Sequence, residues 1–155
     1  RTLVMIFLIL LAAGAVALAV WIRKKYMRAI EEAARNRTAD EIAYEELRAL
    51  KAMDLPGKGL IKEYYVRLSD ISRRYLEKRF SLRAPEMTTE EFLDTLRESS
   101  LLEAEHKNLL REFLSHCDLV KFAKYGPTPI EMIDSFKAAE KLVDQTREIK
   151  EEVAQ

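Results

Sequence analysis

His106, His116, Cys117 and Asp118 are the side chains of this sequence whose types could ligate a metal or activate a nucleophile. Both chemistries need groups that converge: a zinc ion takes ligands at about 2.0–2.3 Å, and a reactive thiol needs a base or cation beside it. The spacing works against convergence. His106 and His116 lie ten residues apart on one predicted helix, roughly 15 Å along its axis, too far to share an ion. His116 and Cys117 are adjacent, so on a helix their side chains diverge by about 100°. No Cys-x-x-Cys or His-x-x-x-His partner is present. The pattern predicts Cys117 as a small buried hydrophobe and both histidines as surface or helix-end residues.

The other candidates read similarly. Pro56-Gly57-Lys58-Gly59 lacks the Gly-x-x-x-x-Gly-Lys-Ser/Thr spacing of a phosphate loop and has no preceding strand, so it reads as an interhelix turn. Glu90, Glu91, Glu103 and Glu105 suit helix N-termini, where carboxylates cap free amides and complement the dipole. Tyr64, Tyr65 and Tyr75 fall on a core-facing stripe, where aromatics pack. Ser72 faces the same way, with its hydroxyl free to bond back to the preceding turn. No catalytic, cofactor-binding or metal-binding residue is assigned, and the chain reads as non-enzymatic.

The elements that carry these residues are helical nearly end to end. Thr38-Ala39-Asp40-Glu41 has the Ser/Thr-x-x-Glu form of a capping box and opens a short helix with Ile42, Ala43, Leu47 and Leu50 on one side, closing near Met53 before the Pro-Gly turn. The longest soluble helix is predicted from about Leu60 to Phe80. Its inward stripe holds Ile61, Tyr64, Tyr65, Leu68, Ile71, Ser72, Tyr75 and Leu76; Glu63, Arg67, Asp70, Arg73, Arg74, Glu77 and Lys78 lie opposite. Residues 81–87 form a connector containing Pro85. Thr88-Thr89-Glu90-Glu91 opens a helix with Phe92, Leu93 and Leu96 inward. Ser100-Leu101-Leu102-Glu103 is a third box or a turn. The next helix carries Leu109, Leu110, Phe113 and Leu114 to about His116, and a short apolar stretch, 118–125, follows before Gly126-Pro127. Thr128-Pro129-Ile130-Glu131, with Pro at the first helical position, starts the last helix, which places Ile133, Phe136, Ala139, Leu142, Val143 and Thr146 at helical spacing. Residues 147–155 form a charged tail.

A different kind of segment precedes all this. Leu3 to Ile22 is an uninterrupted apolar run of twenty residues, roughly 30 Å as a helix and matched to a bilayer's hydrocarbon core. Arg23, Lys24, Lys25 and Arg28 follow it, and Trp21 sits at its end, so these five residues are expected at the membrane interface with the following chain cytosolic. Ala15-Val16-Ala17 and Ala17-Leu18-Ala19 resemble signal-peptide cleavage sites, but the run exceeds an h-region of roughly 7–15 residues and its charge comes after it. The anchor should extend as one helix to about Ala34, with Asn36-Arg37 a turn. Ala13/Ala17 and Ala15/Ala19 are small-x-x-x-small pairs that either help the anchor associate or are lipid-compatible filler. A start at Arg1 suggests that an extracytoplasmic part precedes it.

The fold class expected is thus all-α: one transmembrane and juxtamembrane helix (1–34), then a cytosolic bundle of about five helices (38–146) and a frayed tail (147–155). Lys+Arg and Asp+Glu number 26 each, which argues against a nucleic-acid binder, since those show a basic excess. One cysteine excludes an internal disulfide. The basic cluster suits anionic headgroups.

The segment Ile61–Phe80, IKEYYVRLSDISRRYLEKRF, resembles the signature helix of the Bat (aerotolerance) family of bacterial membrane proteins, especially the cytosolic tail of BatD-type members and related short single-span proteins. The resemblance continues through residues 85–93 and 118–124 and covers most of 38–146. It implies an accessory or scaffold component of the bacterial inner membrane that works with a MoxR-type AAA+ ATPase and von Willebrand factor A-domain proteins, without catalytic residues or metal. BatD-type members carry an extracytoplasmic region before the anchor and the shorter relatives lack it; both remain open.

Two surfaces are expected to meet a partner: Arg67, Asp70, Arg73, Arg74 and Lys78 on the long helix, whose bases would steer an acidic protein, and Lys121 and Lys124 in the family-like segment. The rival expectation is a transmembrane device that passes the state of an outer domain into the bundle. A rigid helix from the anchor to Ala34 would favour transmission, and a flexible joint at Asn36-Arg37 passive tethering.

Overall fold

The structure is a computed structural model that describes residues 18–25, 27 and 37–147. The chain divides into two units between Arg37 and Thr38. In the first, residues 18–25 are helical and exposed, and the Lys25 ammonium lies over the Trp21 ring, 5.3 Å from its centroid. Of the expected span, only residues 18–22 are described; residues 3–17, Arg28 and the joint at Asn36 lie outside the described residues, as does the tail from 148. No helix among the described residues is long and apolar enough to cross a membrane.

The second unit is all helical, with no strand among the described residues: α1 (Ala39–Met53), α2 (Ile61–Phe80), a 3-10 turn (Ala84–Glu86), α3 (Thr89–Glu98), α4 (Ala104–Phe122) and α5 (Pro129–Thr146). Capping boxes start α1, α3 and α5, each with both reciprocal bonds formed. At α5, Glu131 N donates to Thr128 Oγ1 (3.2 Å) while Thr128 N donates to Glu131 Oε2 (2.7 Å). Such a box satisfies two amides that a helix start otherwise leaves unpaired. Of the two readings of residues 100–103, a third box or a turn, the structure has the turn. Glu103 is the N-cap of α4 without a side-chain bond, and 100–102 is a bend in which Leu101 N donates to Ser99 Oγ.

Between α1 and α2 the chain reverses through 54–60. Asp54 adopts φ 45° and Gly59 φ 75°, and the Asp54 carboxylate accepts from Gly57 N at 3.2 Å. A side chain at Gly57 would collide with that carboxylate.

Helix α2 touches α1, α4, α5 and the 3-10 turn and is the centre of the bundle. Tyr65, Leu68 and Leu76 on it, with Phe92 of α3 and Leu110 of α4, are wholly buried, each contributing about 1.5–3 kcal/mol by removal from water. Tyr64 OH reaches Met132 O (3.3 Å) near the start of α5 and Tyr75 OH reaches Val143 O (3.4 Å) near its end, so α2 and α5 run in the same direction. Tyr44 meets Asp144 while Lys51 meets the Phe136 ring, which sets α1 antiparallel to α5.

Two helix readings change. Helix α4 does not stop near His116 but continues to Phe122: no breaker precedes Gly126, and Cys117 and Val120 remain on the buried side. Ile133 does not enter the core and is 54% exposed, because α5 turns the face of Ser135, Ala139, Leu142, Val143 and Thr146 inward and Ile133 lies well around the helix from it.

Candidate functional site

The structure separates the side chains expected to face a partner. Arg73 does not lie on the outer face of α2. It is 7% exposed, and its guanidinium donates to Ala84 O (2.7 Å), Met87 O (2.9 Å) and Thr89 Oγ1 (2.6 Å) over the Phe92 ring. The reason is that α2 is central: the 3-10 turn covers the side of the helix next to the predicted stripe, so the buried arc is wider than the stripe. Lys121 is also largely inward. Its side chain is 14% exposed beside Asp118 at 3.9 Å, its ammonium donates to Ser69 Oγ, and it lies over the Phe122 ring. The remaining candidates face solvent to some degree. Arg67 pairs with Glu63 (2.7 Å) and Arg74 with Glu46 of α1 (3.2 Å). Asp70 is half-buried, and Lys78 and Lys124 are exposed. Lys124 stands at φ 55° in the connection from α4 to α5.

Around His116 the polar groups form an ordered chain. Ser135 Oγ donates to Glu131 O at 2.7 Å, so toward Tyr65 (3.2 Å) it accepts. Tyr65 therefore has no proton left for His116 Nε2 at 3.3 Å, and the imidazole must donate from Nε2. The His116 ring also stands edge-on to Tyr125, 5.7 Å between centroids, and Tyr125 OH donates to Glu131 Oε1 at 2.7 Å. The Thr128 amide, together with Tyr125 and the Thr128 hydroxyl, holds the Glu131 carboxyl down at about 2. Burial pushes Tyr65 up to about 12 and the Cys117 thiol likewise to about 12. Cys117 is wholly buried, so its thiol is a packing group. Ser72 Oγ donates to Leu68 O. Among the described residues no three His, Cys, Asp or Glu side chains gather closely enough to hold a metal ion.

Within the second unit, five of the eight exposed large apolar side chains fall where α4 hands over to α5. Leu119 and Phe122 are one turn apart on α4, and Ile130 and Ile133 one turn apart on α5. Tyr125 lies between the two pairs in sequence, its amide donating to Leu119 O and its hydroxyl to Glu131. Their exposure runs from 42% (Tyr125) to 75% (Phe122). Sequence reasoning singled out 118–124 but chose its lysines and missed this apolar tip. The signal was present: once Cys117 and Val120 fill the inner face, Leu119 and Phe122 must point elsewhere. No family model matches the chain, and no match to it was found among the curated proteins or the solved structures.

Proposed function

We propose that this chain is a non-enzymatic docking module, held in the bacterial inner membrane by residues 1–34 and presenting the α4–α5 tip of its bundle to a cytosolic protein. The observation that carries the reading is the tip itself: Leu119, Phe122, Tyr125, Ile130 and Ile133, all at least 42% exposed, at the junction of two helices. Large apolar side chains grouped on a surface mark interaction sites, and aromatic residues at the centre of such patches supply most of the binding energy. Lys124, beside them and without an ion pair among the described residues, would favour an acidic rim on the partner. The interior polar groups give no competing site, since Arg73, Tyr65, Ser72 and Thr146 direct their polar atoms to the bundle itself. On the Bat-like resemblance of Ile61–Phe80 the partner is a MoxR-type AAA+ ATPase or a von Willebrand factor A-domain protein. The anchor rests on the apolar run and the basic cluster behind it.

The test is capture of a purified MoxR-type ATPase or A-domain protein from the same cell by the full chain in lipid nanodiscs. Phe122→Asp combined with Ile130→Asp should weaken capture about a hundredfold, the loss of two hot-spot contacts, with helicity unchanged. Undiminished capture would remove the tip from the interface. A reporter fused after Gln155 should be active in the cytosol; activity confined to the periplasm would overturn the topology.

A further inference from the structure

The outer face of the α1–α2 hairpin carries a second pattern, unrelated to the tip. Along α2, acids recur every seven residues (Glu63, Asp70, Glu77) and bases do the same (Arg67, Arg74), the two series offset by four. Seven residues are close to two turns, so all five lie along one side of the helix in alternating sign. Beside this ridge runs a groove of about 500 Å³ between α1 and α2, floored by Ala49, Met53, Val66 and Ile71 and edged by Glu46 and Arg74. Met53 is 39% exposed there. Asp70 and Glu77 make no hydrogen bond or ion pair among the described residues, and Arg67 and Arg74 hold theirs at half-exposed sites.

We propose that this face is the interface with a second copy of the chain, the two α2 helices lying antiparallel so that Asp70 meets Arg74 of the other copy and Arg67 meets its Glu77. The occupant follows from charge order. Whatever lies along the ridge must present the opposite sign at each step, at the helical rise of about 1.5 Å per residue. An anionic bilayer or a nucleic acid would be repelled at every acid. Helix α2 read in the opposite direction supplies the required order: about a two-fold axis level with Ser72, positions 67, 70, 74 and 77 each face a residue of opposite charge. Two-fold isologous pairing is also the commonest way soluble chains self-associate. The free acids gain partners, and each guanidinium has N–H groups to spare beyond its present carboxylate. The apolar groove floor is covered in the same step.

The symmetry makes the test specific. The full chain, in detergent, is weighed by light scattering after gel filtration, at low and at moderate salt. The wild type should be a dimer at low salt that weakens as salt rises. Asp70→Arg alone sets two bases against two bases, and Arg74→Asp alone two acids against two acids; each should weaken association about tenfold or more, since two pairs per dimer are reversed. An equimolar mixture of these two variants should restore a dimer with one copy of each, and so should both changes in one chain. Helix content by circular dichroism should be the same throughout. A wild type that stays monomeric at low salt overturns the proposal. So does a dimer that ignores both single reversals, because association then lies elsewhere, in the apolar N-terminal run or at the tip. A face whose reversal abolishes partner capture without changing the mass of the wild-type particle belongs to a different protein, and overturns it too.

Discussion

Arg73 ties α2 to the turn that follows it and to the start of α3. Two carbonyls of the turn after α2, Ala84 O and Met87 O, and the Thr89 hydroxyl at the start of α3 converge on its guanidinium, so its removal breaks three hydrogen bonds at a buried or half-buried place. An unsatisfied buried acceptor costs about 1–3 kcal/mol, so Arg73→Ala should destabilise the full chain by about 3 kcal/mol in urea titration. Arg73→Lys should recover only part of that, because an ammonium lacks the planar fork that spans several acceptors. Arg74→Ala, one residue away but half exposed, should stay within about 0.5 kcal/mol. Equal losses at the two positions would refute this assignment. The neighbouring pattern of charges hid the difference: the spacing placed Arg73 and Arg74 on one outward face, and nothing local distinguishes a guanidinium that meets solvent from one that meets a returning loop. Glu131 makes a complementary case in titration. Its folded-state value of about 2 lies below the ordinary 4.5, so its contribution is complete above about pH 5 and is lost as pH falls through 4.5 toward 2. Glu131→Gln should therefore lower stability at pH 7, where the carboxylate's contribution is complete, and flatten the acid limb, so that variant and wild type converge as pH falls toward 2. An acid limb as steep in Glu131→Gln as in the wild type would contradict this.

At the scale of elements, the caps and the heptad-like spacings were legible because both are short-range. A Thr three residues before a Glu states its own hydrogen bonds, and three of the four such motifs form boxes. The fourth, at Ser100, resembles the others in composition, yet the chain there bends and Glu103 starts the helix instead. Thr38→Ala, Thr88→Ala and Thr128→Ala should each cost about 1 kcal/mol, and Ser100→Ala almost nothing; a comparable loss at Ser100 would mean that its motif caps after all. Helix ends were less legible. The stretch after His116 is apolar around much of its circumference, so periodicity alone does not show it continuing α4, whereas Cys117, Val120 and the lack of a breaker before Gly126 do. The same wrap-around of apolar residues left Leu119 and Phe122 exposed, which is how the apolar tip arises as a by-product of a helix running on.

At the scale of the whole molecule, which helix occupies the centre could not be read from any one segment. Helix α2 is amphipathic as a strip, but its contacts with α1, α4, α5 and the 3-10 turn bury Ser69 and Arg73 as well as the stripe; the extra burial is a property of the partners' arrangement. The division between Arg37 and Thr38 falls directly before the capping box at Thr38, where a helix can begin without support from what precedes it. The core residues Leu68, Tyr75, Phe92 and Phe113 all belong to the second unit. A chain of residues 38–147 alone should therefore fold into the same bundle, with strong helical circular dichroism and one cooperative unfolding transition. Within it, Leu68→Ala and Phe113→Ala should each lower stability by about 2–5 kcal/mol, the lost transfer energy plus the cavity left behind. Phe136→Ala should cost less than either, since Phe136 is only partly buried against the Lys51 side chain. If the isolated segment is unfolded, or if its midpoint is unmoved by Leu68→Ala and Phe113→Ala, the core assigned to this bundle is wrong and the first unit must contribute to it.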